Sequence, residues 1–150
     1  MFHTMLLCFD GTRESHAALR RGAELAAACR AQVHLLAVIQ TSAMALVGEA
    51  LSPEAPLADY QQRVKDILQE GVESLRALGV TAKGHIAIGD PVTEIAAAAR
   101  TLSVDLIVLG HHSQSAFARW WRGSLDVSLL DVVHSSILVC IEPPGAQPIA

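Results

Sequence analysis

The sequence contains few charged side chains and no dense run of lysine or arginine. Asp, Glu, Lys and Arg together make up 17% of the 150 residues, and the formal net charge is −4. Surfaces that bind nucleic acid or acidic membranes are rich in lysine and arginine, so we expect neither kind of partner. The low charge content also favours a surface on which one face is covered by another subunit.

Long apolar runs and paired cysteines are missing as well. No apolar run reaches the ~20 residues that a membrane-spanning helix needs, and the amino terminus lacks the basic start and cleavage site of a signal peptide. The three cysteines, Cys8, Cys29 and Cys140, have no C-x-x-C spacing, and their odd number argues against a disulfide framework. We therefore expect reduced, buried thiols in a cytoplasmic protein without membrane insertion.

Short apolar runs alternate with amphipathic stretches along the chain. Because 51% of the residues are hydrophobic, a chain of this length can build one well-buried domain, which we assign to residues 1–150. The predicted strands are 5–10, 32–39, 81–88, 104–109 and 137–141, and the predicted helices are 13–30, 57–78, 91–102 and 125–134, with a loop over 40–56. This alternation predicts a doubly wound α/β fold, with helices on both faces of a five-stranded parallel sheet. The least apolar strand, 81–88, is expected at an edge.

Residues 104–124 carry the strongest sign of a ligand site. An apolar strand ends at Gly110, a polar loop follows, and Gly123 and Ser124 precede the last predicted helix. Glycine lets the backbone approach a ligand closely, and a Gly-Ser pair before a helix offers N–H groups and a hydroxyl to phosphate. The first predicted strand ends in a polar turn at Asp10. Open α/β sheets bind ligands beyond the carboxyl ends of the strands, where strand order reverses, so Asp10 and Gly110 are predicted to meet across a nucleotide-binding crevice.

Each of these residues also has a purely structural interpretation. Asp10 is explained equally well as a turn residue and cap of the first helix. Gly110 can satisfy the tight geometry after a strand, and Ser124 can cap a helix without phosphate. His111 and His112 diverge on a regular backbone, which favours a solvated loop over a metal site.

The rest of the sequence offers no catalytic constellation. There is no Walker-type phosphate loop, no nucleophile elbow and no supported Cys-His pairing. The remaining five histidines show no grouping in the sequence: His3, His16, His34, His85 and His134. Since no lysine lies in the predicted phosphate loop, we expect slow, incidental ATP hydrolysis at most and do not predict an enzyme.

Five segments together resemble the universal stress protein family over nearly the whole chain. They are LLCFDGTRESHAAL at 6–19, VHLLAVI at 33–39, GDPVTEIAAAA at 89–99, VDLIVLG at 104–110 and RGSLDVSLLDVVHSSILVCI at 122–141. The resemblance implies an adenine-nucleotide alpha-hydrolase-like fold with strand order 3-2-1-4-5. It also implies a homodimer formed by antiparallel pairing of the last strand, from Ile137 to Ile141, because an apolar edge strand invites pairing with another chain.

The family's ATP-binding members carry the motif Gly-x2-Gly-x9-Gly-Ser/Thr. Its positions correspond here to Gly110, Ser113, Gly123 and Ser124, with the spacing of nine residues intact. The resemblance implies that Asp10 contacts the ribose or base and Val38 the adenine. Gly110, Ser113, Gly123, Ser124 and Leu125 would then surround the ribose and phosphates. The implied ligand is ATP or AMP, with Mg²⁺ as a further candidate.

Two residues depart from this pattern and support an alternative. Ser113 replaces the second glycine, and its Cβ disfavours a positive φ by about 1 kcal/mol. Asp126 lies in the first turn of the last predicted helix, where its carboxylate competes with phosphate for the helix dipole and N–H groups. Gly110-His111-His112 also resembles the family branch that lacks ATP binding. The alternative is therefore a dimeric stress-response interaction module that binds no nucleotide.

The leading sequence-based hypothesis is an adenine-nucleotide-binding regulatory protein of the stress response. In this hypothesis, nucleotide orders the loop between His111 and Arg122 and so changes what a protein partner, whose identity the sequence leaves open, can bind.

Overall fold

The computed structural model describes residues 1–40, 57–111 and 129–141, and its elements alternate between strand and helix. The strands are β1 (Thr4–Phe9), β2 (Gln32–Gln40), β3 (Ala82–Gly89), β4 (Leu106–His111) and β5 (Ser136–Ile141). The helices are α1 (Arg13–Cys29), α2 (Leu57–Ala77), α3 (Pro91–Thr101) and α4 (Leu129–Val132). Within the described residues, the predicted boundaries agree to within a few residues. The predicted loop over 40–56 and the start of the predicted helix 125–134 lie largely outside the described residues.

All five strands pair in parallel, in the order β3-β2-β1-β4-β5. This confirms the predicted doubly wound sheet, with β3 and β5 at its edges. The chain moves outward from β1 to β2 and β3, then crosses back to β4 and β5. Strand order therefore reverses between β1 and β4, the position where open α/β sheets place their ligands.

Two apolar layers lie on opposite faces of the sheet because successive strand side chains alternate between its faces. On one face, Met5, Leu7 and Phe9 pack with the buried side of α1 and with Leu75 of α2. On the other face, Leu6 and Cys8 belong to a cluster that includes apolar residues of α3 and α4. The central strand is thus buried on both sides, as expected for a continuous apolar run in a parallel sheet.

Polar residues fix where the helices begin. Thr12 caps α1 by accepting a hydrogen bond from the Ser15 N–H. Asp90 caps α3 in the same way, and Pro91 occupies the first turn, where no backbone N–H is required.

Helices α1 and α2 lie close against the sheet at two glycines. A Cβ built on Gly22 would lie 2.7 Å from a methyl carbon of Leu7, and one on Gly71 would lie 2.8 Å from the Phe9 ring. Real Cβ atoms do not approach neighbours this closely, so both positions use the small size of glycine to bring helix and sheet together. Among the described helices, none is long and apolar enough to cross a membrane.

Candidate functional site

Three residues of the predicted site lie at the carboxyl ends of adjacent strands. Val38 is near the end of β2, Asp10 directly follows β1, and Gly110 is the penultimate residue of β4. The pairing of β1 with β2 continues to Phe9. Pairing of β1 with β4, in contrast, is recorded only from Met5 to Leu7. The recorded ladder between β1 and β4 thus stops short of the edge where strand order reverses.

The Asp10 carboxylate shapes the turn between β1 and α1. Its Oδ1 accepts hydrogen bonds from the Thr12 N–H at 3.0 Å and from the Thr12 hydroxyl at 2.6 Å. Thr12 in turn caps α1, so Asp10 supports the capping residue and is not itself the cap. Gly11, between them, has φ +79°, a conformation that glycine adopts without strain. The turn interpretation of Asp10 is therefore correct, whereas its interpretation as the cap of α1 is wrong, because Thr12 accepts the capping hydrogen bond.

Gly110 lies against the first turn of α1. A Cβ at this position would be 2.5 Å from the Glu14 carbonyl oxygen and 2.9 Å from the Ser15 nitrogen. Both of these atoms belong to the backbone and cannot move aside as a side chain could. Strand β4 also continues for one residue beyond Gly110, so the glycine does not end the strand as predicted. Close approach of α1 accounts for glycine here whether or not a ligand binds.

Val38 is half-buried and packs against the apolar cluster shared by β1, β2, α3 and β4. Its partner across the β2–β3 pair is Ala87, another small apolar residue of the same face. Val38 could offer an apolar surface to a flat ring at this edge, but its present contacts are those of a core residue.

The other predicted site residues lie outside the described residues: Ser113, Gly123, Ser124 and Leu125. The same is true of Asp126, which was expected to oppose phosphate. The phosphate-binding half of the site therefore stays a prediction from the sequence.

Cys8 lies in β1, two residues before Asp10, and its thiol is unreactive. Burial raises the pKa of the Cys8 thiol far above its ordinary value, and the neighbouring Asp10 charge raises that pKa further. A thiol in this environment stays protonated and is a poor nucleophile. Cys8, Cys29 and Cys140 are all free, as predicted, although only Cys8 is fully buried.

The prediction that five histidines would show no grouping is wrong for two of them. His34 Nδ1 lies 2.9 Å from His85 Nε2, so the two side chains form a hydrogen-bonded pair between β2 and β3. A signal was present: His34 falls inside a buried strand, where a polar side chain needs a partner. His16 also has a partner, since its Nε2 lies 2.8 Å from Glu70 Oε1. Over the parts of the chain that the structure describes, no three His, Cys, Asp or Glu side chains form a potential metal site.

Solved structures with the same fold include several universal stress proteins. A universal stress protein in complex with cAMP is 18% identical, with 93% of this chain and 97% of that chain covered at a TM-score of 0.68. A universal stress protein from Archaeoglobus fulgidus in complex with dAMP is 13% identical, with 93% and 98% covered at a TM-score of 0.65. UspA from Lactobacillus plantarum is 19% identical, with 92% and 97% covered at a TM-score of 0.57.

Sequence comparison identifies a family but no individual relative. No curated protein matches this sequence significantly. The model of the universal stress protein family, however, matches residues 1–140. A match over this much of the chain, together with the shared fold, shows that the chain belongs to the universal stress protein family.

Proposed function

We propose that this chain is an adenine-nucleotide-binding regulatory protein of the stress response. The observation that carries the proposal is the placement of Val38, Asp10 and Gly110 at the carboxyl ends of three adjacent strands, next to the point where strand order reverses. Family membership and the complexes of two relatives with cAMP and dAMP support an adenine nucleotide as the ligand.

In the proposed site, side chains contact the ribose and base of the nucleotide, and backbone N–H groups bind its phosphates. Asp10 accepts a hydrogen bond from the ribose or the base, and Val38 packs against the adenine. Gly110 brings the β4 backbone close, and the N–H groups around Gly123 and Ser124 hold phosphate at the start of a helix. ATP or AMP is the expected ligand, with Mg²⁺ as a companion of the phosphates. Binding would order the loop between β4 and α4 and change the surface that a protein partner contacts.

A second function, a dimeric interaction module without nucleotide, is supported by a specific observation. Asp10 and Gly110 both have complete structural explanations, in the turn before α1 and in the close contact with Glu14. Neither residue therefore requires a ligand to account for its presence. Ser113 and Asp126, as departures from the family motif, favour the same alternative.

Isothermal titration with ATP, AMP and cAMP, each with and without Mg²⁺, separates the two functions. We expect saturable binding of at least one nucleotide to the unmodified protein, with one site per chain. The double variant Ser113→Gly/Asp126→Ala restores the second glycine of the motif and removes the competing carboxylate, so it should bind more tightly. If nucleotide at millimolar concentration binds only the double variant, the interaction module is the correct function. If neither protein binds, the nucleotide proposal fails altogether.

We further propose a homodimer formed through β5. This strand pairs with β4 on one side, and its last residue, Ile141, is 72% exposed. Replacing Ile141 with lysine should shift the protein toward monomer in sedimentation experiments. Ile88→Lys is the matched control because Ile88 is 49% exposed on the opposite edge strand, β3. Equal effects of the two variants, or a monomeric unmodified protein, would contradict dimerisation through β5.

We also propose that residues 1–140, which the family model matches, belong to the single domain predicted for 1–150. We propose the cytoplasm as its location.

A further inference from the structure

His34 and His85 form a cross-strand contact on the face of the sheet that α3 covers. His34 is only 5% exposed, whereas His85 is half-buried. The ring centroids are 5.1 Å apart, and the ring planes are tilted by 40°. In the β2–β3 register, His85 is paired with Leu36, two residues after His34, so the histidines are diagonal neighbours. Their hydrogen bond therefore ties the edge strand β3 to β2 through side chains.

This bond imposes a limit on how many protons the two rings can hold. It requires one N–H donor and one nitrogen lone pair, and two neutral imidazoles supply both. One added proton is tolerated, because it can sit on the outward nitrogen of the donor ring and leave the acceptor lone pair intact. A second added proton places N–H groups on both facing nitrogens. The hydrogen bond is then lost, and two positive rings face each other.

The charged groups around the pair make full protonation still less favourable. Lys83 lies on β3 directly opposite His34 in the strand register. Burial is the largest influence on His34 and lowers its pKa, and the charges of His85 and Lys83 lower that pKa further. The helix packed on this face, α3, carries Glu94 near Gly89 and the exposed Arg100 as its charged side chains. Lys83, the charged side chain opposite His34, thus adds to the positive charge beside the pair and gives no compensation for an added proton.

We propose that the His34–His85 pair is a proton-sensitive latch, which holds β3 against β2 until the pair takes up its second proton. Strand β3 leads directly through Gly89 to Asp90, the residue that caps α3. Release of the latch therefore loosens an edge strand and the helix start that follows it. This device requires no bound nucleotide, so it can operate whether or not the nucleotide proposal is correct.

The direction of the pH effect follows from counting protons. In the unfolded chain both histidines become protonated below their ordinary pKa of about 6.5, whereas the latched pair holds one added proton. The unfolded chain thus binds more protons in acid, so the latch contributes its full stability above about pH 6.5 and loses stability below it. One excess proton corresponds to a roughly tenfold change in the unfolding equilibrium constant per pH unit.

Urea unfolding at pH 7.5, 6.5, 5.5 and 5.0 tests the latch without nucleotide. The double variant His34→Gln/His85→Gln keeps amide groups that can hydrogen-bond to each other but cannot titrate. We expect the unmodified protein to lose stability below pH 6.5 by roughly tenfold per pH unit more than the double variant does. His134→Gln is the control, because it removes an exposed histidine outside the pair. Equal pH profiles for the unmodified protein and the double variant would refute the latch.

Measurements on the unmodified protein remain decisive if the double variant does not fold. Ring resonances of His34 should titrate at a lower pH than those of an ordinary histidine in NMR spectra, since burial and the neighbouring positive charges lower its pKa. Amide protection factors in β3 should fall between pH 6.5 and 5.0 more steeply than those in β1. Titration of His34 at the ordinary histidine pKa of about 6.5, with β3 protection unchanged relative to β1, would overturn the proposal.

Discussion

Asp105 and Asp10 lie at opposite ends of the neighbouring strands β1 and β4, and their carboxylates have different hydrogen-bond partners. Asp105 precedes β4, at the amino edge of the sheet. Its oxygens accept hydrogen bonds from the backbone N–H groups of His3 at 2.7 Å and Thr4 at 3.1 Å. Asp10 follows β1, at the carboxyl edge, and within the described residues its carboxylate accepts hydrogen bonds from Thr12, two residues along the chain.

At the amino ends of the strands, hydrogen bonds join segments that are far apart in the sequence, whereas the bonds of Asp10 at the carboxyl ends stay within a local turn. At the amino edge, hydrogen bonds also join the Ser136 N–H to the Asp105 carbonyl and the Ser135 hydroxyl to the Val104 carbonyl. These bonds connect β1, β4 and the start of β5 across long sequence separations. At the carboxyl edge, the recorded bonds of Asp10 stay within one turn. Such a division suits an α/β sheet whose ligand site lies beyond the carboxyl ends of its strands.

The largest effect is expected from Gly110→Ala, which tests how tightly α1 closes on the carboxyl edge. The new Cβ would meet the Glu14 carbonyl oxygen at 2.5 Å, so backbone must shift. Overpacking of this kind costs about 1–3 kcal/mol, and we expect the upper part of that range in urea unfolding. Gly79→Ala is the control: its φ is +79° but it has no neighbour within 4 Å. That variant should lose about 1 kcal/mol from backbone strain alone.

If Gly110→Ala proves no more destabilising than Gly79→Ala, α1 is not held firmly against β4. The carboxyl edge would then be looser than the structure indicates, and the contrast with the amino edge would become greater. A cost well above that of Gly79→Ala, which we expect, would show that packing of α1 supports the carboxyl edge, whereas long-range hydrogen bonds support the amino edge.

Asp105→Ala should produce the next largest effect, because it removes the acceptor of two backbone N–H groups. Hydrogen bonds to charged groups contribute about 1.5–3 kcal/mol each when buried. The Asp105 side chain is 38% exposed, so water replaces part of what is lost. We therefore expect a total of about 1–2 kcal/mol in urea unfolding. Asp105→Asn, which keeps one acceptor oxygen, should lose less. Equal losses for the two variants would show that the hydrogen bonds of Asp105 contribute little.

The lowered pKa of the Asp105 carboxyl group predicts how stability depends on pH. Desolvation is the largest single influence and raises the pKa of Asp105, but the N–H groups of His3 and Thr4, with the His3 charge, outweigh it and lower that pKa overall. The unfolded chain therefore takes up the proton first as pH falls. Stability from Asp105 is present above the ordinary aspartate pKa of about 3.9 and is lost as pH falls through the lower folded value.

Urea unfolding of the unmodified protein and of Asp105→Asn between pH 5 and pH 2.5 measures this contribution. The stability difference between the two should shrink as the pH falls. A difference that stays constant over this range would mean that the pKa of Asp105 is the same in the folded and unfolded chains.

Much of the fold could be predicted because its determinants are local. Most strands are short apolar runs, and helices α1 and α3 begin at recognisable residues, Thr12 and the Asp90-Pro91 pair. The strand order came from the family resemblance, and the parallel pairing came from the alternation of strand and helix. The edge position of β3 was indicated by its weaker apolar character.

The contacts that could not be predicted join residues far apart in the sequence. Asp105 reaches His3 across 102 positions, and His34 reaches His85 across 51. Whether such residues meet depends on the register of strands β1 to β4, and a shift of one residue would turn a strand's side chains to the opposite face. The local pattern fixes which residues form a strand but not which residue of the next strand lies opposite. Gly110 illustrates this limit: its glycine character was noticed, but its contact with Glu14 depends on where α1 packs.

The smallest effect on stability is expected from Asp10→Asn. This substitution also separates most clearly the role of Asp10 in the turn from its role in nucleotide binding. The amide oxygen of asparagine can accept both hydrogen bonds from Thr12, so stability should change by less than about 0.5 kcal/mol. The charge that would attract a ribose hydroxyl or base amine is lost, and hydrogen bonds to charged groups are stronger by about 1.4 kcal/mol, or tenfold in affinity. Titration calorimetry should thus show roughly tenfold weaker nucleotide binding by a protein of nearly unchanged stability.

Thr12→Ala provides the reverse case in the same turn. It removes the cap of α1 and should cost about 1 kcal/mol of stability, while the Asp10 carboxylate and its charge remain available to nucleotide. If Asp10→Asn destabilises the protein as much as Thr12→Ala and leaves nucleotide affinity unchanged, Asp10 serves the turn alone. Asp10 would then hold the backbone in place, as Asp105 does at the amino edge. The two carboxylates would differ only in the sequence separation of their hydrogen-bond partners, which is short for Asp10 and long for Asp105.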